Sequence, residues 1–268
     1  MVNILEQIVA TKKAEVAESK RLISINTLIE QIEDSVFENR SLANELNKCP
    51  GIIAEFKRAS PSKGVINSIN TVEEIVSGYS SNGATGISVL TDIVYFKATN
   101  DDFRNARKNS DRPILRKEFI IDEYQLYGSK AMGANVILLI AAILTKEEIR
   151  QFTITAQSLG LEVLIELHSV SEIDKLCGNE NMIGVNNRNL KTFEVDINQS
   201  IYIKSELGNT GNSTPLISES GLSSIDEIQI LLNEGFKGFL LGEYFMKQEK
   251  PIEAFSKLNI ALKALSNG

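Results

Sequence analysis

The chain has 268 residues, 43% hydrophobic and 24% charged, which is enough apolar material for one large core or two small ones. Its formal net charge is −7 with lysines and arginines scattered along it, so it lacks the concentrated basic face that a nucleic-acid partner demands. Two distant cysteines, Cys49 and Cys177, and a single histidine argue against a disulfide or zinc framework and fit a reducing cytoplasm.

Residues 3–18 read as an amphipathic helix, not a signal peptide. Ile4, Leu5, Ile8 and Val9 recur at helical spacing, and Lys12, Lys13, Glu15 and Glu18 supply a polar face. Weaker helical patterns follow at 25–32 and 41–47, and Pro50-Gly51 marks a break. From there strand-like apolar runs appear at 52–56, 86–90, 113–119, 135–140, 162–167, 182–186, 215–218 and 238–241. The longest apolar stretch, 136–144, is strand-sized, far short of a membrane span. Helical patterns lie between the runs, among them 72–79, 123–132, 146–159, 225–233 and 252–265. Gly83, Gly133, Gly160, Gly208 and Gly235 fall just past helical patterns, where a left-handed cap favours glycine. Strand–helix alternation implies parallel strands with right-handed crossovers. Eight strands, each followed by a helix, predict one α/β domain over 1–268, a (β/α)8 barrel of the TIM type. Residues 51–268 would form the barrel and 1–50 a helical extension over its mouth. A doubly wound open sheet is the rival. It would carry a GxGxxG turn after the first strand, where this chain has Arg58-Ala59-Ser60-Pro61-Ser62.

Barrel sites lie at the C-terminal ends of the strands, and side chains alternate faces along a strand. Glu55 and Lys57 share a face on strand 1. Lys117 goes with Leu115 and Phe119 on strand 3, and Glu166 with Leu164 and His168 on strand 5. Asn186 ends strand 6 and Glu219 ends strand 7. Alternation therefore brings two lysines, three glutamates and an asparagine into one mouth. One Glu–Lys pair would read as a structural salt bridge. Charges at four strand ends with an asparagine at a fifth do not, because burying ions is costly. Such a cluster is expected to push lysine pKa values down and some carboxylates up, toward proton transfer at neutral pH. His168 reads as a structural neighbour of Glu166 rather than a general base, and Cys177, on a helix, as packing. Ser220-Gly221-Leu222-Ser223 and Leu241-Gly242-Glu243-Tyr244 place small residues after strands 7 and 8, where many barrels bind phosphate.

Several motifs together resemble the indole-3-glycerol phosphate synthase family. They are Ile53-Ala54-Glu55-Phe56-Lys57-Arg58-Ala59-Ser60-Pro61-Ser62, Leu115-Arg116-Lys117-Glu118-Phe119-Ile120-Ile121-Asp122 and Ile183-Gly184-Val185-Asn186-Asn187-Arg188-Asn189-Leu190. Ile217-Ser218-Glu219-Ser220-Gly221 and the opening Ile4-Leu5-Glu6-Gln7-Ile8-Val9 extend the likeness nearly end to end. The resemblance implies a tryptophan-biosynthesis lyase acting on 1-(2-carboxyphenylamino)-1-deoxyribulose 5-phosphate. Ring closure, decarboxylation and dehydration would give indole-3-glycerol phosphate, with no metal or organic cofactor. By motif position Lys117 looks like the general acid and Glu166 like the acid/base of the dehydration. Lys57 looks like the anion-binding residue and a candidate second proton donor. Glu55, Asn186 and Glu219 would orient lysines and substrate hydroxyls, with the division of proton roles among Lys57, Glu55 and Glu166 left open. Ser60, Ser220, Gly221, Gly242 and Glu243 would bind at the phosphate end, and Phe96, Phe119 and Leu138 would hold the aromatic ring.

The sequence departs from the family pattern at three places. Glu118 replaces the usual aspartate and should point away from the mouth with little effect. The loop Tyr95-Phe96-Lys97-Ala98-Thr99-Asn100 lacks the usual glycine, and Tyr244 stands where a small residue is common. The rivals are a phosphoribosylanthranilate isomerase barrel, which uses a cysteine where strand 1 has Glu55 and Lys57, and a catalytically dead scaffold, which would have lost one of these charges. The expected partner is a small phosphorylated molecule, with no nucleic acid and no membrane. The expected state is a cytoplasmic monomer, with a homodimer as the alternative.

Overall fold

A computed structural model describes residues 4–189, 192, 194–208 and 214–266. Asn3, at the expected start of the first helix, and Leu190, in the strand 6 motif, lie outside the described residues.

The apolar runs become β1 (Gly51–Phe56), β2 (Gly86–Leu90), β3 (Ile114–Lys117), β4 (Val136–Ile140), β5 (Glu162–Leu167), β6 (Met182–Asn186), β7 (Leu216–Glu219) and β8 (Gly238–Leu241). Each pairs in parallel with the next, and β8 pairs with β1, closing the barrel. Alternation sorts their side chains into two cores. Ile53, Leu115, Leu138, Leu164, Met182, Ile217 and Leu240 fill the barrel. Ile52, Ala54, Ile87, Val89, Ile137, Ile165 and Val185 pack outward against the helices. Strands buried on both faces read as continuous apolar runs, which is why they stood out.

The outer ring is α4 (Val72–Ser81), the short α5 (Ile93–Phe96), α6 (Asp102–Lys108), α7 (Tyr124–Ala131), α8 (Lys146–Ser158), α9 (Asn198–Leu207), α10 (Ile225–Asn233), the short α11 (Glu243–Met246) and α12 (Pro251–Ser266). Reciprocal capping boxes start α4 (Thr71 with Glu74), α8 (Thr145 with Glu148) and α10 (Ser224 with Glu227), satisfying amides that a helix start leaves open. The five glycines expected past helices all have positive φ, from 67° to 91°. Among the described residues, no helix is long and apolar enough to cross a membrane.

Two connections differ from expectation. After β5 the chain forms a 3-10 helix, Val170–Lys175, not an α-helix. The Glu180 carboxylate accepts the amides of Cys177 and Gly178, and Gly178 turns at φ 82°, so the chain is led back into β6 before a full helix can build. Cys177 therefore lies in a loop, half-buried against the outer core. The third strand ends at Lys117, so Phe119 lies in the loop beyond it.

The N-terminal extension divides its work. It comprises α1 (Ile4–Leu22), α2 (Ile25–Glu33) and α3 (Leu42–Lys48). Helix α1 lies over the mouth, with Ile4, Leu5 and Ile8 lining the cavity there. Helix α3 seals the opposite end, where Leu42 abuts Gly86 and Leu46 abuts Gly238, the first residues of β2 and β8. Helix α2 packs Leu28 beside Tyr124 of α7, on the barrel's flank.

Candidate active site

A cavity of about 400 Å³ opens at the C-terminal ends of the strands, a volume suited to a small organic ligand. Glu55, Lys57, Lys117, Glu166 and Asn186 line it, as do Ser60, Phe96, Phe119, Leu138, Ser220, Gly221, Gly242 and Glu243. Glu219 does not border it. That side chain is 1% exposed and lies behind Lys117 in direct contact with its ammonium.

Strand alternation builds the polar floor. Lys117 Nζ lies 3.1 Å from Glu166 Oε2 and also contacts Glu219. The other Glu166 oxygen is 3.1 Å from His168 Nε2, so His168 does stand beside Glu166. Lys57 Nζ pairs with Glu55 Oε1 at 2.8 Å, and Ser88 of β2 donates to Glu55 Oε2 at 3.2 Å. Asn186 Oδ1 accepts the Arg188 amide at 3.0 Å, which fixes its carboxamide at the end of β6.

The electrostatics correct one expectation. Burial alone would pull the Lys117 ammonium down, but its close contact with Glu219 and the charges of Glu166 and Glu55 together outweigh it and hold it above its ordinary range. A buried lysine falls only when it lacks anions. Glu219 is the group that gives way: burial and the neighbouring Glu166 charge push it up to about 8, against the pull of Lys117. Burial also disfavours the Glu166 carboxylate, yet Lys117 and His168 hold it well below the usual range. The floor thus holds an ammonium, a carboxylate and a carboxyl that keeps its proton at neutral pH.

At the other end, Ser220 and Gly221 both take left-handed backbone, at φ 69° and 76°. A side chain at Gly221 would run into Val195 Cγ1 at 1.8 Å. Gly242, which starts α11, lies so close to Glu55 that a Cβ there would meet its Oε1 at 2.5 Å. The first amides of a helix have no intrahelical acceptor, which suits this end to an anion. Phe96 and Phe119 form an apolar wall, ring centroids 6.2 Å apart. Lys97, in the loop that lacks the usual glycine, takes the left-handed conformation itself, at φ 58°, and Phe96 keeps its place in the cavity. Tyr244 also lines the cavity, with its ring edge-on to Phe245 at 5.3 Å.

Three cations at the rim, Lys63, Arg188 and Lys247, were not singled out in the sequence. They lie in loops or in the short α11–α12 junction, where no period assigns a face. Glu118, expected to point away from the mouth with little effect, lies just past the end of β3 among the residues that line the cavity, and it is not idle. It takes part in a buried cluster in which Lys12 Nζ lies 3.0 Å from Glu118 Oε1, 3.0 Å from Asp92 and 2.6 Å from Glu15.

The profile of the family described as indole-3-glycerol phosphate synthase matches residues 5–258. A relative of that name from Bacteroides thetaiotaomicron is 45% identical over 266 residues, covering 99% of this chain and 100% of the relative. Another of the same name, from Prochlorococcus marinus, is 39% identical over 265 residues, covering 96% and 89%. Among solved structures, a 3-hexulose-6-phosphate synthase superposes with a TM-score of 0.61 at 12% identity, covering 79% of this chain and 99% of that one. Tryptophan synthase subunit alpha from Legionella pneumophila gives 0.59 at 14%, covering 85% and 98%; likeness at this level speaks to the fold alone. Conserved length and identity over the whole barrel give the assignment: the chain belongs to the indole-3-glycerol phosphate synthase family.

Proposed function

We propose that this chain is a carboxy-lyase that converts 1-(2-carboxyphenylamino)-1-deoxyribulose 5-phosphate to indole-3-glycerol phosphate, carbon dioxide and water. The observation that carries the site assignment is Lys117, a buried ammonium between Glu166 and Glu219 whose Nζ faces the cavity floor. The benzoate ring carbon attacks the ribulose carbonyl while Lys117 gives a proton to the carbonyl oxygen, which becomes a hydroxyl. A prearranged donor at a developing oxyanion is the strongest device available to such a site. The carboxylate then leaves as carbon dioxide, restoring two electrons to the ring. Glu166 serves the final step, in which a proton and the new hydroxyl depart as water. Glu219, with its pKa near 8 and in contact with Lys117, is the natural source for reprotonating the lysine.

Lys57 binds the substrate carboxylate and Glu55 orients Lys57. Phe96, Phe119 and Leu138 hold the aromatic ring. The phosphate takes backbone amides at Ser220, Gly221, Gly242 and Glu243, Ser60 of the cavity lining binds substrate, and Asn186 takes a substrate hydroxyl. Every group comes from one chain, so the reading needs no second copy, and residues 1–268 act as one domain because α1 walls the cavity. Two unpaired thiols suit a reducing cytoplasm. The test is fluorescence detection of indole-3-glycerol phosphate formed from the carboxyphenylamino substrate by purified, folded protein. Turnover is expected, and its absence sinks the assignment.

A further inference from the structure

Behind the Ser220–Gly221 turn lies a closed ring of hydrogen bonds that touches neither the cavity nor solvent. Asn187 follows β6, Ser218 is on the outward face of β7, and Ser200 is in the first turn of α9; all three are buried. Ser200 Oγ donates to Asn187 Oδ1 at 2.7 Å, and the two serine hydroxyls are 2.8 Å apart. Asn187 Nδ2 lies 2.9 Å from Ser218 Oγ and 3.1 Å from the Ser220 carbonyl oxygen.

Proton counting leaves one arrangement. A carboxamide has two N–H donors and one acceptor oxygen, and a hydroxyl has one proton to give. Ser200 spends its proton on Asn187, so Ser218 must donate to Ser200, and Asn187 donates to Ser218. The ring is complete, and the second Asn187 N–H goes to the Ser220 carbonyl.

That bond has a consequence on the opposite side of the peptide. In a planar trans peptide the carbonyl of one residue and the N–H of the next point in opposite directions. A Ser220 carbonyl held back toward Asn187 therefore sends the Gly221 N–H forward, toward the cavity that Gly221 lines. The turn needs holding, because Ser220 at φ 69° is in a left-handed region that strains a non-glycine residue.

We propose that Asn187 is a positioning residue for anion binding: by fixing the Ser220 carbonyl, it aims the Gly221 amide at the substrate phosphate. The inference rests on the phosphate end assigned above. Asn187→Leu keeps the side chain's shape and removes both the donor and the acceptor. Its expected effect is a rise in KM of about tenfold, the worth of one well-placed hydrogen bond. The inhibition constant of inorganic phosphate, as a competitor of substrate, should rise in parallel, while kcat changes less than about threefold. Ser200→Ala breaks the ring more gently and should raise the phosphate constant a few-fold, so it decides the matter if Asn187→Leu does not fold, as judged by circular dichroism. If phosphate fails to compete with substrate on the wild-type enzyme, the phosphate end is misassigned and the inference falls with it. If phosphate competes equally well with the wild type and the folded variants, or if kcat falls while KM stays put, Asn187 does not position the turn and the phosphate end stands alone.

Discussion

Lys117 owes its charge to its neighbours. Desolvation works against the ammonium, yet Glu219, Glu166 and Glu55 overcome it, so the donor is loaded before substrate arrives. Lys117→Ala is therefore expected to lower kcat at least about a thousandfold while KM moves less than about threefold, the pattern of an interaction made in the transition state. Near-normal turnover in the variant would refute the acid role. Lys97 makes an opposite kind of prediction. It holds φ 58° at the end of α5, where a Cβ is strained. Lys97→Gly should raise stability by about 0.5–1 kcal/mol, seen as a higher denaturant midpoint with an unchanged slope; a lower midpoint would show that the lysine earns its place by a contact. At this scale much of the site was legible. Period-2 alternation on apolar strands puts Glu55, Lys57, Lys117, Glu166 and Glu219 inward without any knowledge of the barrel's curvature. It could not tell that Glu219 would sit behind Lys117 rather than beside it, because depth depends on the stagger between strands.

Helix α1 shows what an element adds. Its apolar stripe was plain, and Ile4, Leu5 and Ile8 do meet the cavity. Lys12, expected on the polar face, stands instead on the buried stripe with Leu5, Ile8 and Val16. Lys13 and Glu18 of the polar face do meet water, but Lys12 does not. It meets Asp92 and Glu118 at the barrel rim and is only 4% exposed. Thr11 adds a bond to the Tyr95 hydroxyl at 3.0 Å. Hydrophobic periodicity assigns a polar residue to solvent by default, and only the docked partner reveals otherwise. The same blindness hid the 3-10 connection after β5, where a short charged segment gives no period. Removing one partner from a buried ion cluster strands the others, at a cost of about 3 kcal/mol or more. Lys12→Met should accordingly loosen α1, with faster proteolytic cleavage within residues 4–22 and a higher KM. Unchanged cleavage and KM would mean that Leu5 and Ile8 alone hold the helix down.

Over the whole molecule, barrel closure forces three carboxylates, two lysines and a histidine into one enclosed mouth, and that crowding sets a pH dependence of stability. Glu219 keeps its proton in the folded protein up to about pH 8, whereas an unfolded glutamate loses it near about pH 4.3. His168 is lowered by burial but raised further by Glu166, Glu172 and Glu219, so its folded value also lies above its unfolded one. Both groups bind more protons in the folded state, and stability falls as pH rises wherever the native state holds the extra proton. For Glu219 that window runs from the unfolded value up to about pH 8, with a slope of about 1.4 kcal/mol per pH unit per proton. Glu166 works in the opposite sense, but its lowered value confines its effect to the acid side of the unfolded glutamate. The melting temperature should therefore fall steadily between pH 6 and pH 8, and Glu219→Gln, which carries no titratable proton, should flatten that slope by about one proton. A melting temperature that rises over this interval, or a slope untouched by the substitution, would mean that Glu219 is ionised in the folded protein and that Lys117 must draw its replacement proton from elsewhere.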